Sequence, residues 1–333
     1  AEVIPSDWST KDANEFLQGS IPHYMLGNND QMTKEITDAI LLMNHADTLG
    51  SIMKFDLSEA TRNAIMIRTQ EYEQLLANGE FVPEAIQLFI PYMHIILALT
   101  EKYAAICMNP PYMGSGRFDS VLSKYVKDNY EEGKADLFSV FMLLAIDRLL
   151  PNGKYGMINM QSWMFLSSFE KLRTRLLTEN RIDNMLHLGP RTFDELSGEV
   201  VQNTAFVITN CEGKDATGSY YRLLDGKSCG DKERMFLSHI CGNEDGQKIF
   251  YPNVSQQDFE KIPGCPIGYW IKKKIFSTFM HKTVSSVSQS KCGMNTGDND
   301  GMIRLWFEIE FKELNSNAIS CEDFHKTGSR YAP

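Results

Sequence analysis

The sequence predicts an α/β fold, on three observations. Between residues 103 and 210, apolar runs of strand length alternate with helical segments in the order strand, helix, strand, helix, strand. The helical segments carry capping residues at their starts and breaker residues at their ends. At 333 residues, 43% apolar and 23% charged, the chain suits one large domain or two moderate ones. Alternation of this kind marks a sheet joined by crossover helices, and ligands of such sheets bind beyond the carboxyl ends of the strands.

The first hundred residues read as mainly helical. "QMTKEITDAILLMNHADTLGS" has helical spacing through Ile36, Ile40 and Leu41 and is expected to break between Asp47 and Gly50. "SEATRNAIMIRTQEYEQLLANG" offers Ser58 as N-cap and Gly79 as stop. A third helix is expected from near Pro83, kinked or divided at Pro91. "YAAICM" then reads as a buried strand. "ADLFSVFMLLAIDRLLPNG" reads as an apolar helix capped by Asp136 and stopped by Pro-Asn-Gly. "KYGMINM" is a strand, and "SSFEKLRTRLLTEN" a helix in which Ser167 and Glu170 have capping-box spacing. "RIDNMLHLG" and "NTAFVITN" are two further strands. Past Cys211 the periodicity weakens. "YYRLLDG" reads as strand and turn, "SQQDFEKIPG" as a short helix, and "GYWIKKKIFSTFMHK" as amphipathic, with Trp270, Ile271, Ile275 and Phe279 opposite Lys272, Lys273 and Lys274.

The strand 103–108 ends in Asn-Pro-Pro-Tyr. The prolines fix φ and restrict the residues before them, so the corner is stiff. Asn109 offers an amide oxygen, and the Pro110 carbonyl loses its ladder partner where the strand ends. Two fixed acceptors suit an NH2 group, and Tyr112 adds a flat ring for a planar substrate. The amine of an aromatic base is a poor nucleophile because its lone pair is delocalised. Accepting a hydrogen bond from each N–H favours a pyramidal nitrogen that can attack, so catalysis would rest on orientation and electrostatics.

An NPPY corner after a strand resembles motif IV of the amino-methyltransferases that use S-adenosylmethionine, chiefly the DNA adenine-N6 methyltransferases. "HADTLGS" is similar to their motif III, which implies that Asp47 contacts the adenosine part of the cofactor. "HLGPRTFDE" followed by "NTAFVITN" resembles the motif VIII region, which implies that Phe193 packs against a flipped base. "IPGCPIGYW" and "CGMNTGDNDGMIRLWFE" look like the region after the catalytic domain in the large BREX-type, PglX-like phage-defence methyltransferases. The resemblance runs from about residue 40 to the C-terminus. It implies methyl transfer to N6 of a flipped adenine in double-stranded DNA, with other subunits of a defence complex as further partners. Asn109 and Pro110 would hold the amine, Pro111 would stiffen the corner, and Tyr112 and Phe193 would sandwich the base.

One element of that family is missing. No glycine-rich motif I follows a strand, and the "GSG" at 114–116 follows the wrong one. The chain therefore reads as a fragment, expected to bind S-adenosylmethionine weakly or not at all by itself. The implied fold is a partial Rossmann-like methyltransferase sheet with a helical N-terminal insertion and the start of a C-terminal target-recognition module. Residues 1–102 form the helical segment with the motif III-like turn, and 103–210 the C-terminal part of the methyltransferase α/β domain. Residues 211–333 open the target-recognition region.

The four corner residues leave other substrates open, since a protein glutamine amide or a base in RNA also presents an NH2. A non-catalytic DNA-binding module of a defence complex is a further alternative. The net charge of −10 argues against a broadly basic surface, so contact with a polyanion needs local patches. Lys272, Lys273 and Lys274 are either a solvated face or phosphate contacts. The seven cysteines, at 107, 211, 229, 241, 265, 292 and 321, are odd in number and contain no CxxC, which points to a reducing cytosol and away from disulfides. His239 and Cys241 lack further ligands at metal-site spacing, so no metal is expected. "TGDND" at 296–300 reads as a turn without calcium-loop spacing. The apolar stretch from 85 to 108 is interrupted by Gln87, Pro91, His94, Glu101 and Lys102 and does not read as a membrane span.

Overall fold

The computed structural model describes residues 30–193, 201–213, 215–242, 248–282 and 284–288. The chain divides into a unit ending at Met280 and a second beginning at His281. In the second, one 3-10 turn, Val284–Ser286, is described. The stretch "CGMNTGDNDGMIRLWFE" lies outside the described residues.

Among the described residues, three helices of more than ten residues lead into the sheet of the first unit. Helix α1 (Asp30–Met43) buries Ile36, Ala39, Ile40 and Met43, one face at helical spacing. Helix α2 (Glu59–Ala77) starts at Ser58, whose hydroxyl accepts the Thr61 N–H at 3.2 Å, and is followed by Gly79 at φ +73°. Helix α3 (Glu84–Thr100) begins after Pro83 and contains Pro91 as a single element, so the proline does not divide it. Ile36, Ile40, Ile65, Ile86, Phe89 and Met93 share one apolar cluster that holds the three together. The break after α1 falls earlier than expected. The chain leaves the helix at Met43, makes one helical turn at Ala46–Leu49, and reverses at Gly50, φ +51°, where glycine carries no Cβ penalty.

Among the described residues the sheet has six strands: β1 (Tyr103–Met108), β2 (Leu149–Met160), β3 (Arg181–Gly189), β4 (Asn203–Thr209), β5 (Thr217–Arg222) and β6 (Phe250–Ser255). Their spatial order is β1-β2-β4-β3-β5-β6. Strands β1 and β2 are parallel, as are β3 and β5, while β4 lies antiparallel between β2 and β3 and β6 is antiparallel to β5. Helices α4 (Ser120–Asn129) and α5 (Leu137–Asp147) link β1 to β2, α6 (Glu170–Glu179) links β2 to β3, and α7 (Cys229–Ile240) links β5 to β6. One core joins sheet and helices through Phe138, Leu143, Tyr155, Trp163, Leu172 and Phe206. The sheet continues past Cys211 through β5 and β6.

Four local expectations are corrected. "YAAICM" is a strand but not a buried one: among the described residues it has a neighbouring strand on one side only, and Tyr103, Ala104, Ala105 and Cys107 are exposed. "LLPNG" is not merely a helix stop, since β2 already begins at Leu149. Asn152 adopts φ +63°, a conformation asparagine tolerates, and its N–H donates to the Asn210 carbonyl at 2.9 Å. The Ser167–Glu170 capping box does not form. Ser167 opens a 3-10 turn, Ser167–Phe169, and α6 starts from Phe169 without a side-chain cap. In the amphipathic stretch only Lys273–Phe276 is α-helical. Phe276 is its buried residue, while Ile275 and Phe279 are exposed. The five cysteines among the described residues are unpaired, and no described helix is long and apolar enough to cross a membrane.

Candidate active site

The corner Asn109-Pro110-Pro111-Tyr112 leaves β1 at the edge of the sheet where β2, β3 and β5 also end and where β4 begins. Its exit is tied to the start of α5. The Asp136 carboxylate accepts from Met113 N at 3.0 Å and caps α5 at Phe138 N at 3.2 Å. The Leu137 N–H donates to the Met113 carbonyl at 2.9 Å. Burial pushes the Asp136 carboxyl up, and the N–H groups of Phe138, Met113 and Leu137 oppose that shift. A stiff dipeptide is thus clamped at both ends, by the β1 ladder and by a helix cap.

Asn109 is exposed and Pro110 buried. Among the described residues no donor is bonded to the Pro110 carbonyl. The Tyr112 ring is half-buried and meets Phe138 edge-on, with centroids 6.3 Å apart. Its hydroxyl lies 3.3 Å from Asn109 Oδ1 and 3.4 Å from the Ile158 carbonyl, two acceptors for one proton. It accepts in turn from Asn203 Nδ2 at 3.0 Å. Burial raises the Tyr112 phenol, and the Asn203 bond offsets part of the rise.

Asn203 is a site residue that the sequence does not announce. It opens β4, is fully buried, and also donates to the Asn159 carbonyl at 3.3 Å. The signal available was an asparagine at the head of an apolar strand, where a buried amide needs partners. Beside it, His187 on β3 bonds Gln161 Oε1 through Nε2 at 2.7 Å and Tyr269 Oη through Nδ1 at 2.9 Å. Burial, with the Arg222 charge adding to it, lowers His187 to about 4, so the imidazole is neutral at pH 7. Tyr269 belongs to "IPGCPIGYW" and stacks on Tyr220 with centroids 4.9 Å apart.

Phe193 lies four residues beyond β3 and is half-buried. The path to it is fixed by two left-handed residues, Gly189 at φ +67° and Arg191 at φ +57°. Lys232, from α7 and itself buried, donates to the carbonyls of Pro190 at 2.5 Å and Gly226 at 3.1 Å. Desolvation lowers this ammonium. Asp47 is exposed in its helical turn, and its Oδ1 accepts from Thr48 N at 2.8 Å.

A cavity of about 490 Å³ runs along the outer edge of β1, lined among others by Ser51, Cys107, Asn109, Pro110, Phe141 and Arg148. Asp47 lies four residues before Ser51 but does not line it. The "GSG" turn is no cradle for a ligand. A Cβ at Gly116 would meet nothing within 4 Å, and one at Gly114 only Asp136 Oδ2 at 3.8 Å. Among the described residues the cavity has no glycine-rich cradle.

The family model described as the Eco57I restriction-modification methylase matches residues 27–193, from the first helices through the corner to Phe193. The chain belongs to this family. It is 39% identical over 219 residues to the adenine-specific methyltransferase PglX of Lacticaseibacillus casei (strain Zhang), covering 65% of this chain and 18% of that protein. To the adenine-specific methyltransferase BrxX of Escherichia coli O9:H4 (strain HS) it is 33% identical over 304 residues, covering 90% of this chain and 24% of the relative. It thus spans a quarter or less of the length of these curated relatives. Among solved structures it is similar to a modification subunit of a putative type I restriction enzyme from Vibrio vulnificus YJ016, with 11% identity, a TM-score of 0.37, and coverage of 53% of this chain and 43% of that one.

Proposed function

We propose that this Eco57I-family chain forms the amine-binding half of a DNA adenine-N6 methyltransferase active site. The observation that carries this is the corner itself, with an exposed amide oxygen on Asn109, a Pro110 carbonyl without a donor, and the Tyr112 ring beside them. The adenine-specific names of both relatives support the choice of substrate. S-adenosylmethionine, when bound, supplies an electrophilic methyl group.

The chain's own residues act on the amine. An adenine turned out of the duplex places its ring against Tyr112, with Phe193 on the other face. The two N–H bonds donate to Asn109 Oδ1 and the Pro110 carbonyl, which turns the nitrogen lone pair out of conjugation. Pro111 keeps both acceptors in place, so little reorganisation remains at the moment of transfer. Because Tyr112 Oη can donate to Ile158 instead of Asn109, the Asn109 oxygen can be released to the amine. Asp47 is the proposed contact to the adenosine part of the donor, and the glycine-rich cradle would come from elsewhere in the protein. Target reading is proposed for residues of the 211–333 region beyond β6.

Methylation of duplex DNA, RNA and glutamine-bearing peptides by the full-length enzyme, read by mass spectrometry, tests the reading. N6-methyladenine in DNA alone is expected; methylglutamine, or methylated RNA with unmodified DNA, would overturn it.

Asn203 is a positioning residue in this scheme, holding the Tyr112 ring through its hydroxyl. Asn203→Leu is expected to lower the single-turnover rate about tenfold, the equivalent of one hydrogen bond. Tyr112→Phe and Asn203→Leu together should cost less than the sum of the two single losses, because both remove the Asn203–Tyr112 bond. Strictly additive losses in that cycle would count against the role.

A further inference from the structure

The chain as a whole is acidic, yet between positions 261 and 297 it holds six lysines and no aspartate or glutamate. In the described part of this stretch Lys272, Lys273 and Lys274 stand side by side, all exposed. Many other lysines are neutralised at close range: Lys54 on Asp147, Lys134 on Glu131 and Lys261 on Asp258, each at 2.6 Å. No carboxylate among the described residues pairs with any of the three. Three consecutive lysines raise the local positive charge, which a bound polyanion would offset.

These lysines are not isolated from the corner. Trp270, 39% exposed, precedes them, and its ring lies 6.1 Å from that of His187 and 5.7 Å from that of Phe165. His187 pairs with Thr204 across the β3–β4 ladder, next to Asn203, the residue bonded to Tyr112. An exposed indole therefore adjoins the end of the sheet where the corner sits, and the three lysines follow it directly in the chain. Arg173 fixes the turn before them by donating to the carbonyls of Gly264 and Cys265 at 3.0 and 3.1 Å.

We propose that Trp270, Lys272, Lys273 and Lys274 form a ledge that grips the DNA backbone beside the flipped nucleotide. The lysines contact phosphates as point charges, and the indole packs on a sugar or an unstacked base. The proposal rests on reading the corner as an adenine site. It assigns these residues to positioning the duplex, with no part in reading sequence.

The test uses the full-length enzyme and a duplex drawn from DNA that the wild type methylates. Affinity is measured from low to moderate NaCl for wild type, for K272Q/K273Q/K274Q, and for K272R/K273R/K274R. Each phosphate contact contributes about 0.9 to the slope of log K against log[salt]. The glutamine triple should have a slope shallower by about 2 to 3, and its losses should fall on Kd and on KM for DNA. The arginine triple should keep the wild-type slope. A glutamine triple whose slope matches wild type within about 0.5 overturns the ledge. A wild-type enzyme that leaves no methyladenine in DNA would instead overturn the function on which the ledge rests.

Discussion

Asn109→Ala is expected to lower the single-turnover rate of adenine methylation by about 10²- to 10³-fold, the scale seen when one preorganised polar group is removed from a reacting centre. The substitution deletes one of the two acceptors that pyramidalise the amine. It leaves the Pro110 carbonyl and the Asp136 clamp on Met113 in place. Tyr112 Oη loses one acceptor and keeps the Ile158 carbonyl at 3.4 Å, so the ring stays seated. Affinity for duplex DNA should change by less than about threefold, because phosphate contacts dominate it. A variant that methylates at the wild-type rate would show that Asn109 does not touch the reacting amine.

Arg173→Met is expected to have the largest effect on stability. Arg173 is 1% exposed as a residue and spends its guanidinium N–H groups on main-chain carbonyls of two separate segments. Nη1 donates to Trp163 at 2.8 Å and Leu166 at 2.7 Å, while Nε reaches Gly264 and Cys265. Burial depresses its pKa, and the charges of Cys265 and Glu170 oppose that shift. Gly264 at φ +79° and Cys265 at φ +49° form a left-handed pair that these bonds hold. Removing the guanidinium leaves the Trp163, Gly264 and Cys265 carbonyls without their donor, while Leu166 keeps the Phe169 N–H at 3.2 Å, so a loss of about 3 kcal/mol is expected in urea unfolding. Hydrogen exchange should rise first in the 262–270 segment. A loss below about 1 kcal/mol would mean that packing alone holds that segment.

Much of the secondary structure is written locally, and so it was legible. Ser58 and Asp136 cap helices through bonds to N–H groups two or three residues away, and the apolar runs at 103–108, 181–189 and 203–209 have strand length. The corner itself was legible for the same reason, since four consecutive residues form it. What could not be seen depends on distant pairing. Nothing local indicates that β4 inserts between β2 and β3, or that β1 is the last described strand in the order, with Tyr103, Ala104, Ala105 and Cys107 exposed. Asn203 meets Tyr112 across 91 positions, and His187 meets Tyr269 across 82, so neither contact leaves a periodic trace. The capping-box pattern at Ser167 misled because a 3-10 turn satisfies the chain there first. The predicted apolar face of "GYWIKKKIFSTFMHK" failed because only four of its residues form an α-helix.

The central claim is that the Asn109 amide oxygen and the Pro110 carbonyl together hold the adenine amine. Its most direct test is a structure of the full-length enzyme with duplex DNA and a non-reactive analogue of the methyl donor. The account predicts an extrahelical adenine against Tyr112, with N6 within about 3.2 Å of both oxygens. An adenine in that pocket whose N6 lies beyond about 4 Å from either oxygen would contradict it.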